Sequence, residues 1–188
     1  MTETKKFCLG ALGLVALQGF ALYLLGQPPI AASGEVHLWW GTVLSSGNSQ
    51  HISDWYTFSH IVHGFLFYAA LWVLFPRMPI GMRFLLALGI EVAWEVIENT
   101  PMVINHYREQ ALAQGYIGDS ILNSISDSFA MVIGFLAARR LPTLVVVAIA
   151  LGLELFTLYM IRDNLALNII NLIHTFPALS AWQASGPH

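Results

Sequence analysis

Long apolar runs alternate with short polar segments along this chain. Four of the runs stand out, and they comprise residues 7–25, 55–75, 84–97 and 141–161. A fifth run, residues 121–138, is more polar at its start. A helix needs roughly 20 mostly apolar residues to cross the hydrocarbon core of a bilayer. The pattern therefore predicts an all-α fold, a polytopic membrane bundle of about five transmembrane helices.

The composition agrees with that of a membrane protein. Hydrophobic residues make up 56% of the 188 residues and charged residues only 10%, with a mean hydropathy of +0.64. A soluble domain usually carries about 25% charged residues. The net charge of −3 gives no sign of nucleic-acid binding. The single cysteine, Cys8, excludes an intramolecular disulfide and any CxxC metal or redox motif. Membrane lipid is therefore the expected partner.

We predict a single integral-membrane domain over residues 1–188. The spans are expected at approximately residues 7–26, 55–75, 84–100, 120–138 and 142–161, and an interfacial C-terminal segment at 163–188. These segments use most of the chain, which leaves no length for a soluble catalytic domain.

The basic residues divide unequally between the two sides of the predicted spans. Six of the eight lie on one side: Lys5, Lys6, Arg77, Arg83, Arg139 and Arg140. Only Arg108 and Arg162 fall on the other side. Because cytoplasmic loops of membrane proteins carry an excess of Lys and Arg, we predict a cytoplasmic N-terminus and a periplasmic C-terminus.

Ionisable residues interrupt four of the predicted spans. They are His60 and His63 in the second span, Glu91, Glu95 and Glu98 in the third, Asp127 in the fourth and Glu154 in the fifth. The histidines are three residues apart and the glutamates are three or four apart, so each set shares a helix face. Counted from the cytoplasmic ends at about 1.5 Å per residue, Glu95 and Asp127 lie roughly 18 Å deep and His63 roughly 21 Å deep. The similar depths predict one polar site in the outer half of the bilayer.

Such a site favours a bound cation. A charged side chain at the bilayer centre costs at least about 2.5–3.5 kcal/mol, and carboxylates this close need a counter-charge or a shared proton. A metal ion would supply that charge, and imidazoles with carboxylates suit Zn, Mn or Fe. The candidate ligands are His60, His63, Glu95, Glu98 and Asp127. The alternative is a partly protonated network that only holds the helices together.

The leading functional hypothesis is a membrane-embedded hydrolase or transferase that uses this metal on a lipid or lipid-linked substrate. Glu91, Glu95 or Glu98 would serve as general base for a water molecule held by the metal. In the outer loop, Arg108 and Tyr107 would position the substrate's head group.

Three alternatives remain open. Ser59 could act as a nucleophile in a triad with His63 and Asp127. The same buried acids could form a relay in a proton-coupled transporter, although no internal repeat of the common transporter kind is visible. The network could also be structural, in a non-enzymatic membrane scaffold.

Four segments carry a family resemblance: DWYTFSHIVHGFLFY, WEVIENT, INHYR…YIGDSILNSISDS and RDNLALNIINLIH. Through them the chain resembles a family of uncharacterised bacterial inner-membrane proteins of unknown function. The resemblance covers most of the chain from Asp54 onward and implies a multi-pass protein of the inner membrane, with no activity attached. An Asp and a His that open a span before a Glu-rich span are also loosely similar to VanZ-like membrane proteins. Their Asp-Lys pair is absent here, since Trp55 follows Asp54.

Overall fold

The computed structural model describes residues 2–186, which form helices joined by loops, with no β-strand in that range. The helices are α1 (Glu3–Leu24), α2 (Thr57–Leu74), α3 (Ile80–Glu98), α4 (Pro101–Arg108), α5 (Ile121–Arg140), α6 (Thr143–Ile161), α7 (Leu165–Ile173) and α8 (Pro177–Ala184). The predicted all-α fold is confirmed.

Four helical segments are long and apolar enough to cross a membrane. They are Lys5–Leu24, Thr57–Leu74, Ile121–Arg140 and Thr143–Ile161. α3 has a comparable length of 19 residues but carries one arginine and three glutamates, and it is not among the four. The structure thus supports a membrane protein, and the fifth span stays a prediction.

Capping residues set where several helices begin. The Ser120 side chain accepts a hydrogen bond from the backbone N–H of Asn123 and caps α5, and Asn164 caps α7 in the same way. Pro101 occupies the first turn of α4, where a missing N–H costs no intrahelical hydrogen bond. α3 therefore ends and α4 begins with only two residues between them.

The centre of the bundle is the contact between α2 and α5, the most extensive between any two helices described. Gly64 of α2 and Gly134 of α5 make it possible, because a Cβ atom on either would overlap the backbone of the other helix. Small residues allow this close approach between membrane helices. The apolar core around this contact includes Leu88, Met131 and Phe135, all nearly inaccessible to solvent.

The start of α1, the start of α3 and the end of α5 come together at one end of the bundle. Phe7 packs against Gly81 there, and both line an apolar groove whose wall includes Arg139. Arg83 donates a hydrogen bond to the backbone carbonyl of Pro76 at the same end. We call this the basic end.

The opposite end of the bundle carries the loop of residues 25–56 and the short helices α4, α7 and α8. α8 is held by Gln183, whose Nε2 donates to the Arg162 carbonyl and to Asp163. The Arg162 guanidinium lies over the ring of Trp182, 5.2 Å from its centroid. The predicted interfacial segment thus contains two short helices, and its last two residues, 187–188, lie outside the described range.

Candidate functional site

Two histidines of α2 share one carboxylate of α3. His60 Nδ1 lies 2.6 Å from Glu91 Oε1, and His63 Nδ1 lies 3.1 Å from Glu91 Oε2. The Glu91 side chain is fully inaccessible to solvent. A proton on each Nδ1 lets both rings donate to Glu91, so this carboxylate fixes the orientation of both imidazoles.

Glu95 lies one turn further along α3 and is equally buried. Its Oε1 is 3.3 Å from His60 Nδ1, and its Oε2 accepts a hydrogen bond of 2.6 Å from Ser124 Oγ. Oε1 has no hydrogen-bond partner. A buried acceptor without a partner is uncommon in proteins, so this oxygen is available to a proton or a cation beside His60.

A hydrogen-bonded chain holds Glu95 from behind. Gln18 of α1 donates to Ser124 Oγ at 2.8 Å and accepts from Ser128 Oγ at 2.9 Å. Sequence reasoning did not identify Gln18, although it is the only amide side chain within the first apolar run. The signal for Gln18 was its position inside a span, because a polar side chain there cannot face lipid at low cost and must turn into the bundle.

Asp127 of α5 approaches the other side of His60. Its Oδ2 lies 3.9 Å from His60 Nε2, and its Oδ1 accepts a hydrogen bond from Thr57. Just before α2, Asp54 accepts from the backbone N–H groups of Tyr56 and Ser49. Burial raises the pKa of Asp54 above its ordinary value. Two carboxylates therefore lie near the start of α2.

A cavity of about 430 Å³ opens beside these groups. The histidines and carboxylic acids of its wall are His60, His63, Glu98, Asp119, Asp127 and Asp163. Its apolar wall includes Leu66 of α2, Ile90 of α3 and Ile169 of α7, whose side chains are exposed. The cavity therefore combines polar groups with exposed apolar side chains of three helices.

Asp119, Asn99 and Tyr116 form a second polar cluster, and Asp119 lines the cavity. Asp119 accepts hydrogen bonds from Asn99 Nδ2 at 2.7 Å and from Tyr116 Oη at 2.8 Å. Burial raises the pKa of Asp119 to about 6. Tyr107, which is 4% exposed, lies against Glu98 in the same cavity and donates to Asn168 Oδ1. Burial is the main cause that raises the pKa of Tyr107, and the negative charge of Glu98 raises it further.

Asp163 lies at the junction of α6 and α7, on another part of the cavity wall. Tyr56 Oη donates to one of its oxygens and Gln183 Nε2 to the other, each at 3.3 Å. Burial raises the pKa of Asp163 to about 7. Sequence reasoning missed Asp119 and Asp163 because they lie just outside the apolar runs, where an Asp usually caps a helix.

The predicted catalytic residues occupy different positions relative to the cavity. Ser59 and Tyr107 line it, whereas Glu91 and Glu95 lie behind its wall. Arg108 is exposed, does not line it, and donates through Nε to the backbone carbonyl of Tyr116. Among the hydrogen bonds of residues 2–186, none joins Ser59 to a histidine, and the acid Asp127 lies beside His60.

The geometry could hold a metal ion. Among the described residues, His60, His63 and Glu91 each offer a ligand atom, and these atoms lie within 4.8 Å of one another. Of the other predicted ligands, Glu95 and Asp127 both approach His60. Two imidazoles and a carboxylate are a donor set that Zn, Mn and Fe accept, and the free Oε1 of Glu95 adds a further oxygen beside them. The residues present therefore fit a divalent metal.

Comparisons with known proteins place the chain among proteins without an assigned function. A family model described as "Protein of unknown function (DUF2585)" matches residues 22–185. A UPF0314 protein of Sinorhizobium fredii is 55% identical over 97% of this chain and 92% of its own length. A second UPF0314 protein, from Sphingopyxis alaskensis, is 51% identical over 95% of each chain.

A third relative, the UPF0314 protein of Brucella anthropi, is 46% identical over 97% of this chain and 94% of its own length. No solved structure matches. The resemblance to an uncharacterised family is confirmed, whereas similarity to VanZ-like proteins is not shown by these comparisons.

Proposed function

The chain belongs to the DUF2585 family of proteins of unknown function, and from that premise we propose that it is a membrane-embedded, metal-dependent hydrolase or transferase. Its substrate is a lipid or a lipid-linked molecule. The observation that carries the proposal is the cavity, which joins the wall formed by His60 and His63 to exposed apolar side chains such as Leu66 and Ile90. Concave sites with apolar walls and a few convergent polar groups are the usual ligand sites of proteins.

The proposed topology has five spans, with α3 as the third. The charged side chains of α3 favour this placement, because Arg83, Glu91 and Glu95 are all buried inside the bundle. By the positive-inside rule the basic end faces the cytoplasm of a bacterial inner membrane. The N-terminus is then cytoplasmic, the C-terminus is periplasmic, and the cavity opens in the periplasmic half of the bilayer.

The side chains divide the chemistry between them. His60, His63 and Glu91 would hold a metal, since each offers a ligand atom and these atoms lie within 4.8 Å of one another. When bound, a metal ion there acts as a Lewis acid and lowers the pKa of a water molecule. Asp127 and Glu98 line the cavity and can accept a proton from a reacting group. Glu95, which is buried beside His60, would balance the charge of the metal and the imidazoles.

Proton-coupled transport is less well supported. The polar chain of Glu95, Ser124, Gln18 and Ser128 runs from His60 to the apolar groove at the basic end. An amide side chain neither gains nor loses a proton near neutral pH, so Gln18 interrupts proton transfer. This series of hydrogen bonds therefore serves to hold Glu95 in place. A purely structural network would not require the open cavity beside it.

Metal content is the direct test. We expect stoichiometric Zn, Mn or Fe in the full chain purified in mild detergent, and loss of that metal in His63→Ala. His174→Ala is the matched control, since His174 is exposed and does not line the cavity. It should retain the metal. Wild-type protein without stoichiometric metal would overturn the proposal, as would equal metal content in His63→Ala and the wild type.

A further inference from the structure

We infer that the substrate carries a cationic polar group, a primary ammonium on an amphiphile, and that this group sits between Glu98 and Asp119 in the cavity. The inference deepens the proposed function. It takes from that proposal only the binding of an amphiphile in the cavity. It does not depend on the metal.

The charge of the cavity wall favours a cation. Four carboxylates, Glu98, Asp119, Asp127 and Asp163, line the cavity, and no Lys or Arg does so within residues 2–186. Arg108, the basic residue closest along the chain to Tyr107, is turned to the Tyr116 carbonyl instead. The basic side chains of the wall, His60 and His63, already contact Glu91. An anionic head group would therefore meet these carboxylates without a Lys or Arg partner, whereas an ammonium would provide a counter-charge.

Three residues of the cavity wall, Asn48, Gln110 and Asn171, each carry a buried polar atom without a hydrogen-bond partner that is available to a ligand. Asn171 is 2% exposed, and its Oδ1 has no hydrogen-bond partner, although its Nδ2 donates to Gln183. Gln110 is 5% exposed, and its Nε2 is also without a partner. Both residues line the cavity. Since buried polar groups are normally satisfied, Asn171 offers an acceptor to an N–H donor and Gln110 offers a donor to an adjacent oxygen of the ligand.

An organic cation suits this part of the cavity better than a second metal ion. Asp119 is held by Asn99 and Tyr116, and Asp163 is held by Tyr56 and Gln183. These carboxylates therefore face the cavity from separate places and do not converge on one point. In the described part of the chain, the group with metal-ligand spacing comprises His60, His63 and Glu91.

An ammonium has three donors that can reach separate acceptors. The rings of Tyr107 and Tyr116, whose centroids are 5.7 Å apart, add aromatic surface beside the acids. Aromatic faces attract cations, most strongly where water is excluded. Carboxylates, an amide oxygen and two tyrosine rings together match an ammonium head with an apolar tail along Leu66 and Ile90.

Octylamine, octanol and octyl phosphate, three probes with the same tail, test the inference. Each is titrated calorimetrically into the full chain in phosphatidylcholine nanodiscs, and the heat with empty nanodiscs is subtracted. We expect octylamine to bind most tightly. Glu98→Gln should weaken octylamine binding at least about 30-fold, because it removes one partner of a buried charge pair. Octanol binding should change little.

Glu109→Gln is the matched control, since Glu109 is exposed and does not line the cavity, and its octylamine affinity should equal that of the wild type. A second variant, Asp119→Asn, guards against a Glu98→Gln protein that does not fold. Equal affinity for octylamine and octanol, or tighter binding of octyl phosphate, would overturn the inference. Metal content measured on the same samples separates the two proposals: amine selectivity without metal defeats only the proposed metalloenzyme, and metal without amine selectivity defeats only the present inference.

Discussion

Gly64 of α2 and Gly134 of α5 face each other so closely that a Cβ atom on Gly134 would lie 3.2 Å from the Gly64 Cα atom. This contact sets the distance between the two helices that carry the histidines and Asp127. His60 lies four residues before Gly64 on α2. The close approach of the two backbones at Gly64 therefore determines how near His60 comes to Asp127.

Gly64→Ala should therefore destabilise the bundle, because the new methyl group would overlap the carbonyl of Met131. Overpacking of this kind costs about 1–3 kcal/mol. Gly89→Ala on α3 is the control, since a Cβ there meets no atom within 4 Å. Thermal unfolding in detergent measures both variants. Equal melting temperatures for the two variants would show that α2 and α5 leave room for a methyl group at Gly64.

The removal of metal should lower the stability of the wild-type protein. If His60, His63 and Glu91 hold a metal, a chelator removes the free energy of metal binding to the folded state, which is about 3 kcal/mol at a hundredfold excess over Kd. The melting temperature of the wild type should fall on chelation, whereas that of His63→Ala should not respond. A wild-type protein indifferent to chelator would point instead to protons shared among these groups.

Ser124→Ala should destabilise the protein more than Ser126→Ala. Ser124 Oγ donates to Glu95 and accepts from Gln18, so its loss leaves two buried groups unsatisfied. Such a loss costs about 1–3 kcal/mol. Ser126 on the same helix donates only to the Leu122 carbonyl within α5. Chemical or thermal unfolding compares the two, and a greater loss in Ser126→Ala would contradict the role given to the Gln18 chain.

Stability should fall as the pH rises from about 4 to about 7. Burial raises the pKa of Asp163 to about 7 from its ordinary value of 3.8. Between these values the folded protein keeps the proton and the unfolded chain releases it, so the free energy of unfolding decreases with rising pH. Asp163→Asn should reduce this decrease by a few kcal/mol at most, since each pKa unit corresponds to about 1.4 kcal/mol.

Glu109→Gln, which changes an exposed acid, should keep the pH profile of the wild type. Melting temperatures across this pH range provide the comparison. An unchanged profile in Asp163→Asn would show that Asp163 is ionised in the folded protein.

Reporter fusions test the proposed topology. Because six of the eight basic residues lie on one side of the spans, a fusion after Arg140 should report the cytoplasm and a fusion after His188 the periplasm. A cytoplasmic reporter at His188 would rule out five spans with a cytoplasmic N-terminus.

The sequence by itself determined the helical fold and the family. Apolar runs of membrane-spanning length predict helices because hydrogen bonds within a helix satisfy the whole backbone. Helical spacing also placed His60 with His63, and Glu91 with Glu95, on common faces. Both inferences depend on local periodicity, which a single sequence displays.

The tertiary structure decided which of these groups meet and which reach the cavity. Glu91, and neither Glu95 nor Glu98, is the acid that both histidines share, because the rotation of α3 against α2 is set by packing between helices. The same packing directs Arg108 away from the cavity and brings Gln18 beside Ser124. These residues are up to 106 positions apart, and no local pattern encodes a contact over that separation. The position of each helix results from van der Waals packing and interhelical hydrogen bonds throughout the bundle.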